Sequence, residues 1–341
     1  MRIRTFSGNF FEIGKQQGDI YRRNGMSIKT EINQKLFKGQ LRIYKKHYPE
    51  LIEEFRGMAE AGKFDKNRLI YKFITGEIIW FKNWLNPRKA CTIFGVRNKN
   101  GTFVGRNYDW HPVTERVFEA YRVVNPKRNS FIALTDMGIS GQFDAKPQYL
   151  SYNADDAIND KGLFIGLTFA YNNNWSYGLS CSHMIKLIAE TCSTVEDTLT
   201  IFRKTPLCCP KNFFIADRKG HMAVVEHTSK RFKVVYPEND ILIQTNHYVD
   251  SELSKEDAIL KYTPAHNTFL RYYEVLQKIN MRKSQFNSPD VMKILGNTES
   301  CVCQNHPSMK TVWSLSLDPK RRKYRLYWDV LGKRKELTLK V

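Results

Sequence analysis

No stretch of the 341 residues approaches the roughly 18 consecutive apolar residues that a membrane-spanning helix needs. Glycine and proline are sparse, 19 and 12 residues, too few for a collagen-like or low-complexity chain. The N-terminus, MRIRTFSGNFFEIGKQQG, is basic but has no apolar core of the secretory kind. The seven cysteines are odd in number and irregularly spaced. That pattern excludes a disulfide framework and predicts reduced thiols in a cytoplasmic protein. Metal-like spacing is confined to Cys301-Val302-Cys303 followed by His306, with no second pair to complete it, so no metal is expected.

Acidic residues are also short, 34 Asp and Glu against 54 Lys and Arg, a formal charge of +20. Such a charge invites an anionic partner. Its distribution argues against one: residues 1–90 hold 19 Lys and Arg against 9 Asp and Glu, and the excess continues along the chain. The densest run, Lys320 to Lys323, follows Asp318-Pro319 as a turn tip would. This is a solvated basic surface rather than a nucleic-acid groove.

What is present is a helical beginning and a β-rich remainder. Leu51, Ile52, Phe55, Met58 and Ala59 recur at helical spacing behind Pro49-Glu50, and Gly62 ends that run. Asp65 caps a second run from Lys66 to about Lys82. Asn86-Pro87-Arg88-Lys89 breaks the pattern. CTIFGV, the turn Lys99-Asn100-Gly101 and TFVGRNYDW then read as a hairpin. Further hairpins follow over 212–246 and from Thr311 to Val330. Between them helices are expected over Tyr177–Cys192, after a Ser193–Glu196 capping box, over Pro264–Ile279, and from Ser288 as N-cap with Pro289 at the first position. This order predicts an α+β layered domain with helices covering antiparallel sheets.

Cys91 opens the first strand directly after the break. A cysteine there is either a small hydrophobe or a nucleophile that becomes a new N-terminus when the chain is cut before it. In the second case its own α-amine, with a pKa of about 8, acts as general base. Such a site needs a cation near the sulfur, a carboxylate for the amine and donors for the oxyanion. The return strand carries Arg106 and Asp109. Their spacing of three puts them on opposite faces of a regular strand, so a bulge or strand end is expected before Asp109.

CTIF followed by GRNYDW resembles the nucleophile segment of the N-terminal-nucleophile (Ntn) hydrolases of the linear amide C–N group. That group includes choloylglycine hydrolase, penicillin V acylase, acid ceramidase and acyl-CoA:6-aminopenicillanic acid acyltransferase. Asn159-Asp160-Lys161-Gly162-Leu163, the strand Gly166 to Phe169, the Ala216–Glu226 hairpin, Thr245-Asn246-His247 and Asn267 to Tyr272 are similar to later segments of the group. Cys301 to Pro319, with Gly8 to Gly18 and Tyr48 to Leu51, resemble the acyltransferase-type branch.

The resemblance implies a four-layer αββα sandwich of antiparallel sheets with a helical prosegment. It implies self-cleavage between Ala90 and Cys91, a prosegment of residues 1–90 that stays bound, and a catalytic domain of residues 91–341. By motif, Cys91 is the nucleophile, Arg106 tunes its thiol and Asp109 holds its amine. Asn246 and the Thr168 backbone meet the oxyanion, and Arg271 is a late site arginine. The implied substrate is a small N-acyl amide, with an acyl-CoA or amine as second substrate and no metal or organic cofactor. Trp110, Phe143, Tyr149, Tyr171, Trp175 and Tyr177 suggest an apolar acyl pocket. Three other readings stay open: a papain-like hydrolase using Cys91 with His183, His247 or His306; a basic binding protein; and a silent relative left uncut.

Overall fold

A computed structural model describes residues 3–83, 90–136, 153–172, 174–259, 267–330 and 332–341. The break at Asn86 to Lys89, together with Phe143, Tyr149 and Pro264, lies outside the described residues. The N-terminal part holds β1 (Arg4–Ser7), α1 (Phe10–Arg23), α2 (Gln34–His47), α3 (Pro49–Gly62) and α4 (Lys66–Asn83). Strands β2 (Ala90–Asn98), β3 (Gly101–Trp110), β4 (Glu119–Val124), β5 (Phe131–Thr135), β6 (Asp156–Asn159) and β7 (Phe164–Phe169) follow. Next come α5 (Cys181–Thr191), α6 (Val195–Lys204), β8 (Lys211–Ala216), β9 (Met222–His227), β10 (Phe232–Val235) and β11 (Ile241–Gln244). The chain closes with α7 (Thr268–Asn280), α8 (Ser288–Leu295), β12 (Asn305–His306), β13 (Met309–Asp318), β14 (Lys323–Trp328) and β15 (Lys335–Leu339).

The strands form two sheets. One runs β1-β4-β5-β6-β7-β8-β9-β10; the other runs β11-β2-β3-β13-β14-β15, with β12 beside β13. Side chains alternate between faces, so each sheet has two apolar faces to cover. Cys91, Ile93, Phe164, Phe214, Val224 and Leu315 fill the space between the sheets. The outer face of the second sheet, with Phe94, Val96 and Phe103, packs on Val275, Ile279, Ile294 and Leu295 of α7 and α8. The outer face of the first is covered by α5 and α6 and, beyond them, by α1 to α4. This is the four-layer αββα arrangement. All strand pairings are antiparallel except that of β1 with β4, which is parallel. The N-terminal segment, read as helical throughout, therefore also supplies a sheet edge.

Several helix ends differ from the sequence reading by a residue or more. α5 is capped by Ser180, not begun at Tyr177, because Leu179 forms a bridge with Leu207. The box at α6 has Thr194 as N-cap and Asp197 as its partner; Asp197 accepts from the N–H groups of both Ser193 and Thr194, at 2.9 and 3.0 Å. At α8 the cap is Asn287, one residue earlier, since Asp290 accepts its N–H at 3.1 Å.

The N-terminal helices are joined to α5 by buried polar bridges. Lys186 donates to Glu54 at 2.5 Å, with both side chains essentially unexposed. Tyr48 Oη donates to Glu190, and Tyr44 Oη shares a hydrogen bond with His183 Nδ1, each at 2.6 Å. Helices α1 and α3 touch backbone to backbone: a Cβ on Gly14 would lie 1.8 Å from the Glu54 carbonyl oxygen. Gly14→Ala should therefore destabilise the protein by about 1–3 kcal/mol or more through overpacking. Gly76→Ala in α4, where a Cβ meets nothing within 4 Å, should instead stabilise it by up to about 1 kcal/mol from helix propensity. Denaturation midpoints moving in the same direction for the two variants would contradict this packing.

Candidate active site at the start of β2

β2 pairs with β3 in unbroken register, Ala90 facing Asp109, Cys91 facing Tyr108 and Ile93 facing Arg106. On its other side β2 pairs with β11, but β11 ends at Gln244, opposite Ile93. The main-chain groups of Cys91 on that side are left without a strand to bond. Side chains replace it: Cys91 N–H donates to Asn246 Oδ1 at 2.8 Å, and Arg271 Nη1 donates to the Cys91 carbonyl. Arg271 also donates to Thr92 Oγ1 at 2.9 Å and to Asn246 Oδ1 at 2.7 Å. These donors fix the Asn246 amide orientation, with Nδ2 donating to the Phe169 carbonyl at 3.0 Å. A primary amide has two N–H groups, so one remains beyond that bond.

Cys91 points between the sheets and is fully buried. The Arg106 guanidinium lies on the same face, where its charge favours the thiolate. Burial pushes the Cys91 thiol up; Arg106 pulls it down; Asp109 and Asp156 push it up again, and the net is a raised value. Arg106 is itself held from behind. Its Nε donates to both oxygens of Asp156, at 2.9 and 2.8 Å, and Trp313 Nε1 donates to Asp156 Oδ2 at 2.8 Å. Burial works against the Arg106 charge, and Asp156 and Cys91 together more than offset it, so the guanidinium stays charged. Tyr108 stacks on Trp313 with centroids 3.8 Å apart and lies under Arg106.

Asp109 is on the other face. The bulge expected before it is not in β3: the irregularity in this ladder lies between Thr311 and Trp313 on β13. β3 stays regular, and Arg106 and Asp109 stay on opposite faces of the sheet. This is compatible with both sitting near Cys91, because a backbone nitrogen in the sheet plane can be approached from either face. Asp109 Oδ1 accepts from Thr311 Oγ1 at 2.7 Å, while Oδ2 is buried with no hydrogen-bond partner. Burial raises its pKa to about 6, against the pull of Arg271, the Thr311 bond and Arg106. Burial likewise lowers Arg271 from the usual guanidinium value, opposed by Asp109 and Cys91.

Thr168 is buried one residue before Phe169, and its Oγ1 has no partner. Leu167 N–H donates to the Asp155 carbonyl on the β6 side at 3.0 Å. Strand alternation then turns the Thr168 N–H toward β8, where Thr168 faces Asn212, so the backbone N–H expected at the oxyanion belongs to the sheet and the unpartnered hydroxyl is the group left to face the site. The segment carrying Asn246 is tied down by Glu226, which accepts from Val249 and Asp250 N–H at 2.6 and 2.9 Å, and by Gln244 Nε2 on the His247 carbonyl at 2.7 Å.

Arg106, Asp109, Asn246 and Arg271 thus converge on Cys91, and Phe169, the residue after Thr168, bonds Asn246. None of the three histidines is a partner of Cys91. His183 sits under the helical layer, His247 faces Thr245 and Thr268, and His306 is exposed beside Ser308. Burial lowers His183 to about 3 and His247 to about 4, leaving both neutral. Cys301 donates to Glu274 at 2.9 Å and is not joined to His306. Among the aromatics named for a pocket, Tyr171 packs with Phe169 and Trp80 while Trp175 packs with Tyr177. The sequence reading missed Asp156 and Trp313; an acidic residue at a buried strand position, Asp156 in Asp-Ala-Ile-Asn, was the available signal.

Comparison with known proteins places this geometry. Residues 96–332 match the family model described as acyl-coenzyme A:6-aminopenicillanic acid acyl-transferase. The match starts beyond Cys91 and takes in Arg106, Asp109, Thr168, Asn246 and Arg271. No curated protein sequence matches the chain. Among solved structures, a variant of conjugated bile acid hydrolase from Clostridium perfringens aligns with TM-score 0.50 at 14% identity, covering 73% of this chain and 92% of its own. Penicillin V acylase from Agrobacterium tumefaciens aligns with TM-score 0.50 at 13% identity, covering 73% and 86%. At these identities the likeness is one of fold.

The raised Asp109 pKa has a stability consequence. Its folded value of about 6 exceeds the ordinary one of about 4, so the folded chain binds the extra proton in between. The Asp109 contribution is fully present below about pH 4 and is lost as pH rises through about 6, by up to about 3 kcal/mol. In a Cys91→Ala background, Asp109→Asn should therefore gain stability relative to Asp109 as pH rises over that window. Parallel stability curves from pH 4 to 8 would show that Asp109 is not buried as a charge.

Proposed function

Given that the chain belongs to the acyl-coenzyme A:6-aminopenicillanic acid acyl-transferase family, whose Ntn-type enzymes act on amide bonds, we propose that it is a self-processed amidase or acyltransferase working through a Cys91 thioester. Residues 1–90 are the prosegment and residues 91–341 the catalytic chain. The observation that carries the reading is the capture of both main-chain groups of Cys91 by side chains, Asn246 on its N–H and Arg271 on its carbonyl.

In the precursor, the Cys91 sulfur adds to the Ala90 carbonyl. The Ala90–Cys91 C–N bond breaks as the thiol proton passes to the departing nitrogen, leaving Ala90 as a thioester on sulfur. Water hydrolyses the thioester and frees the Ala90 carboxylate. Departure of Ala90 vacates the register position facing Asp109, and the unpartnered Asp109 Oδ2 then receives the new α-ammonium. The buried bridges from Glu54 to Lys186 and from Tyr48 to Glu190 support a prosegment that stays bound after cleavage.

In turnover, the α-amine of Cys91 takes the thiol proton and the thiolate attacks the carbonyl of a small N-acyl amide. The second N–H of Asn246 and the Thr168 hydroxyl, which has no other partner, donate to the oxyanion. The α-ammonium returns its proton to the leaving amine, and the C–N bond breaks to give an acyl thioester. Water resolves it in hydrolysis; an amine resolves it in transfer, with acyl-CoA as the alternative acyl donor. Arg106 keeps the sulfur within reach, and Arg271 holds the Asn246 amide in its productive orientation.

Intact-mass measurement should give chains of residues 1–90 and 91–341 that copurify, while Cys91→Ala stays whole and inactive on N-acyl amides. A whole, active wild-type chain would sink the free-amine mechanism. Asn246→Ala should lower kcat by roughly 100- to 1,000-fold with a smaller change in KM, as loss of an oxyanion donor does. Normal turnover in this variant would remove Asn246 from the reaction.

A further inference from the structure

Arg106 has no exposure, yet it carries a full charge between two possible anions. One is the Cys91 sulfur, which lies on the same face of the sheet and whose ionisation Arg106 favours. The other is Asp156, which takes Nε with both oxygens at 2.9 and 2.8 Å. Asp156 is fully buried as well and is locked by the indole N–H of Trp313 at 2.8 Å. The neighbouring strand leaves room for this carboxylate: Gly166 faces Asp156 across the ladder, and a Cβ there would lie 2.5 Å from Asp156 Oδ1. Each Nη also donates to a main-chain carbonyl, Nη1 to Asn107 and Nη2 to Leu167 at 3.2 Å, and each keeps a second N–H.

Resting on the reading of Cys91 as nucleophile, we propose that Asp156 is a positioning residue of this site: by pairing with Arg106 it aims the guanidinium at the sulfur and neutralises it, so that Cys91 rests as a protonated thiol. A lone buried guanidinium would pull the proton off the sulfur to obtain a counter-ion. With Asp156 in place the cation is already paired. The thiol then keeps the proton that the amine must take up and hand to the leaving group. The other titratable groups facing this pair are Tyr108 and Asp109 from β3 and Arg271 from α7, with Asp136 and Asp155 acting on Tyr108.

The test is the Cys91 titration, read by ultraviolet thiolate absorbance as the difference from the matching Cys91→Ala protein. Asp156→Asn should lower the midpoint by about one pH unit or more, a tenfold or larger gain in thiol ionisation. It should also lower kcat/KM on an N-acyl amide at least tenfold, because the guanidinium loses its anchor. The charge-balanced double variant Arg106→Gln/Asp156→Asn should reverse the sign, with a midpoint above wild type, since the effect runs through Arg106. An Asp156→Asn midpoint at or above wild type, a double variant that keeps the lowered midpoint, or a lowered midpoint with unchanged kcat/KM each overturns the proposal. Should Asp156→Asn alone not fold, the double variant decides, and a midpoint at or below wild type overturns it. A failure of the nucleophile reading appears elsewhere, as an active Cys91→Ala chain.

Discussion

The antiparallel pairing of β2 with β3 sends alternate side chains to opposite faces of one sheet, and the candidate site depends on that alternation. Arg106, two residues back along β3 from Tyr108, lies on the face of the Cys91 sulfur. Asp109 lies on the other face, opposite Ala90. Under the proposed mechanism the odd spacing in β3 lets the two serve the sulfur and the nitrogen of Cys91 from different sides of the sheet. The edge of the sheet completes the arrangement. Because β11 stops at Gln244, the N–H and carbonyl of Cys91 open toward Asn246 and Arg271 instead of toward another strand.

Four ionisable side chains are fully buried in this region: Arg106, Asp156, Asp109 and Arg271. Burying charges is costly unless they are paired and hydrogen-bonded. Arg106 and Asp156 meet that condition with a bidentate contact and an indole donor. Asp109 does not, because one of its oxygens bonds nothing. A packed protein tolerates few such atoms, and this one lies where a new ammonium would form if the chain is cut before Cys91.

The N-terminal helices are bound to the sandwich by more than apolar contact. α5 lies under them, and Lys186, His183 and Glu190 on that helix reach Glu54, Tyr44 and Tyr48 across the boundary. Further along, Glu77 of α4 accepts from Lys211 of β8 at 3.0 Å and from Cys181 N–H at 2.7 Å. Removing these helices would strip Lys186, His183 and Glu190 of their partners across the boundary. No helix among the described residues is long and apolar enough to cross a membrane.

Local signals were legible where they are local. The Leu51 to Ala59 periodicity, the Pro49 start, the Asp65 cap and the Lys99-Asn100 hairpin are set by neighbours within a few residues, and each is found in the structure. Caps were read less well, because Ser193 and Thr194, or Asn287 and Ser288, offer equivalent oxygens and only the helix axis selects between them. The site residues were legible through their motif order, since Cys91, Arg106, Asp109, Thr168, Asn246 and Arg271 each stand in a recognisable segment. Asp156 and Trp313 were not, because their importance comes from meeting Arg106 across 50 and more positions of sequence. By itself the sequence determined the elements, the hairpins and the candidate chemistry at Cys91. Only the tertiary structure decided that β11 leaves its hairpin neighbours to join the other sheet, that it ends short of Cys91, and that Arg106 faces a second anion. Those are matters of which strand lies beside which, and burial of two sheets against one another settles them, not any local preference of the chain.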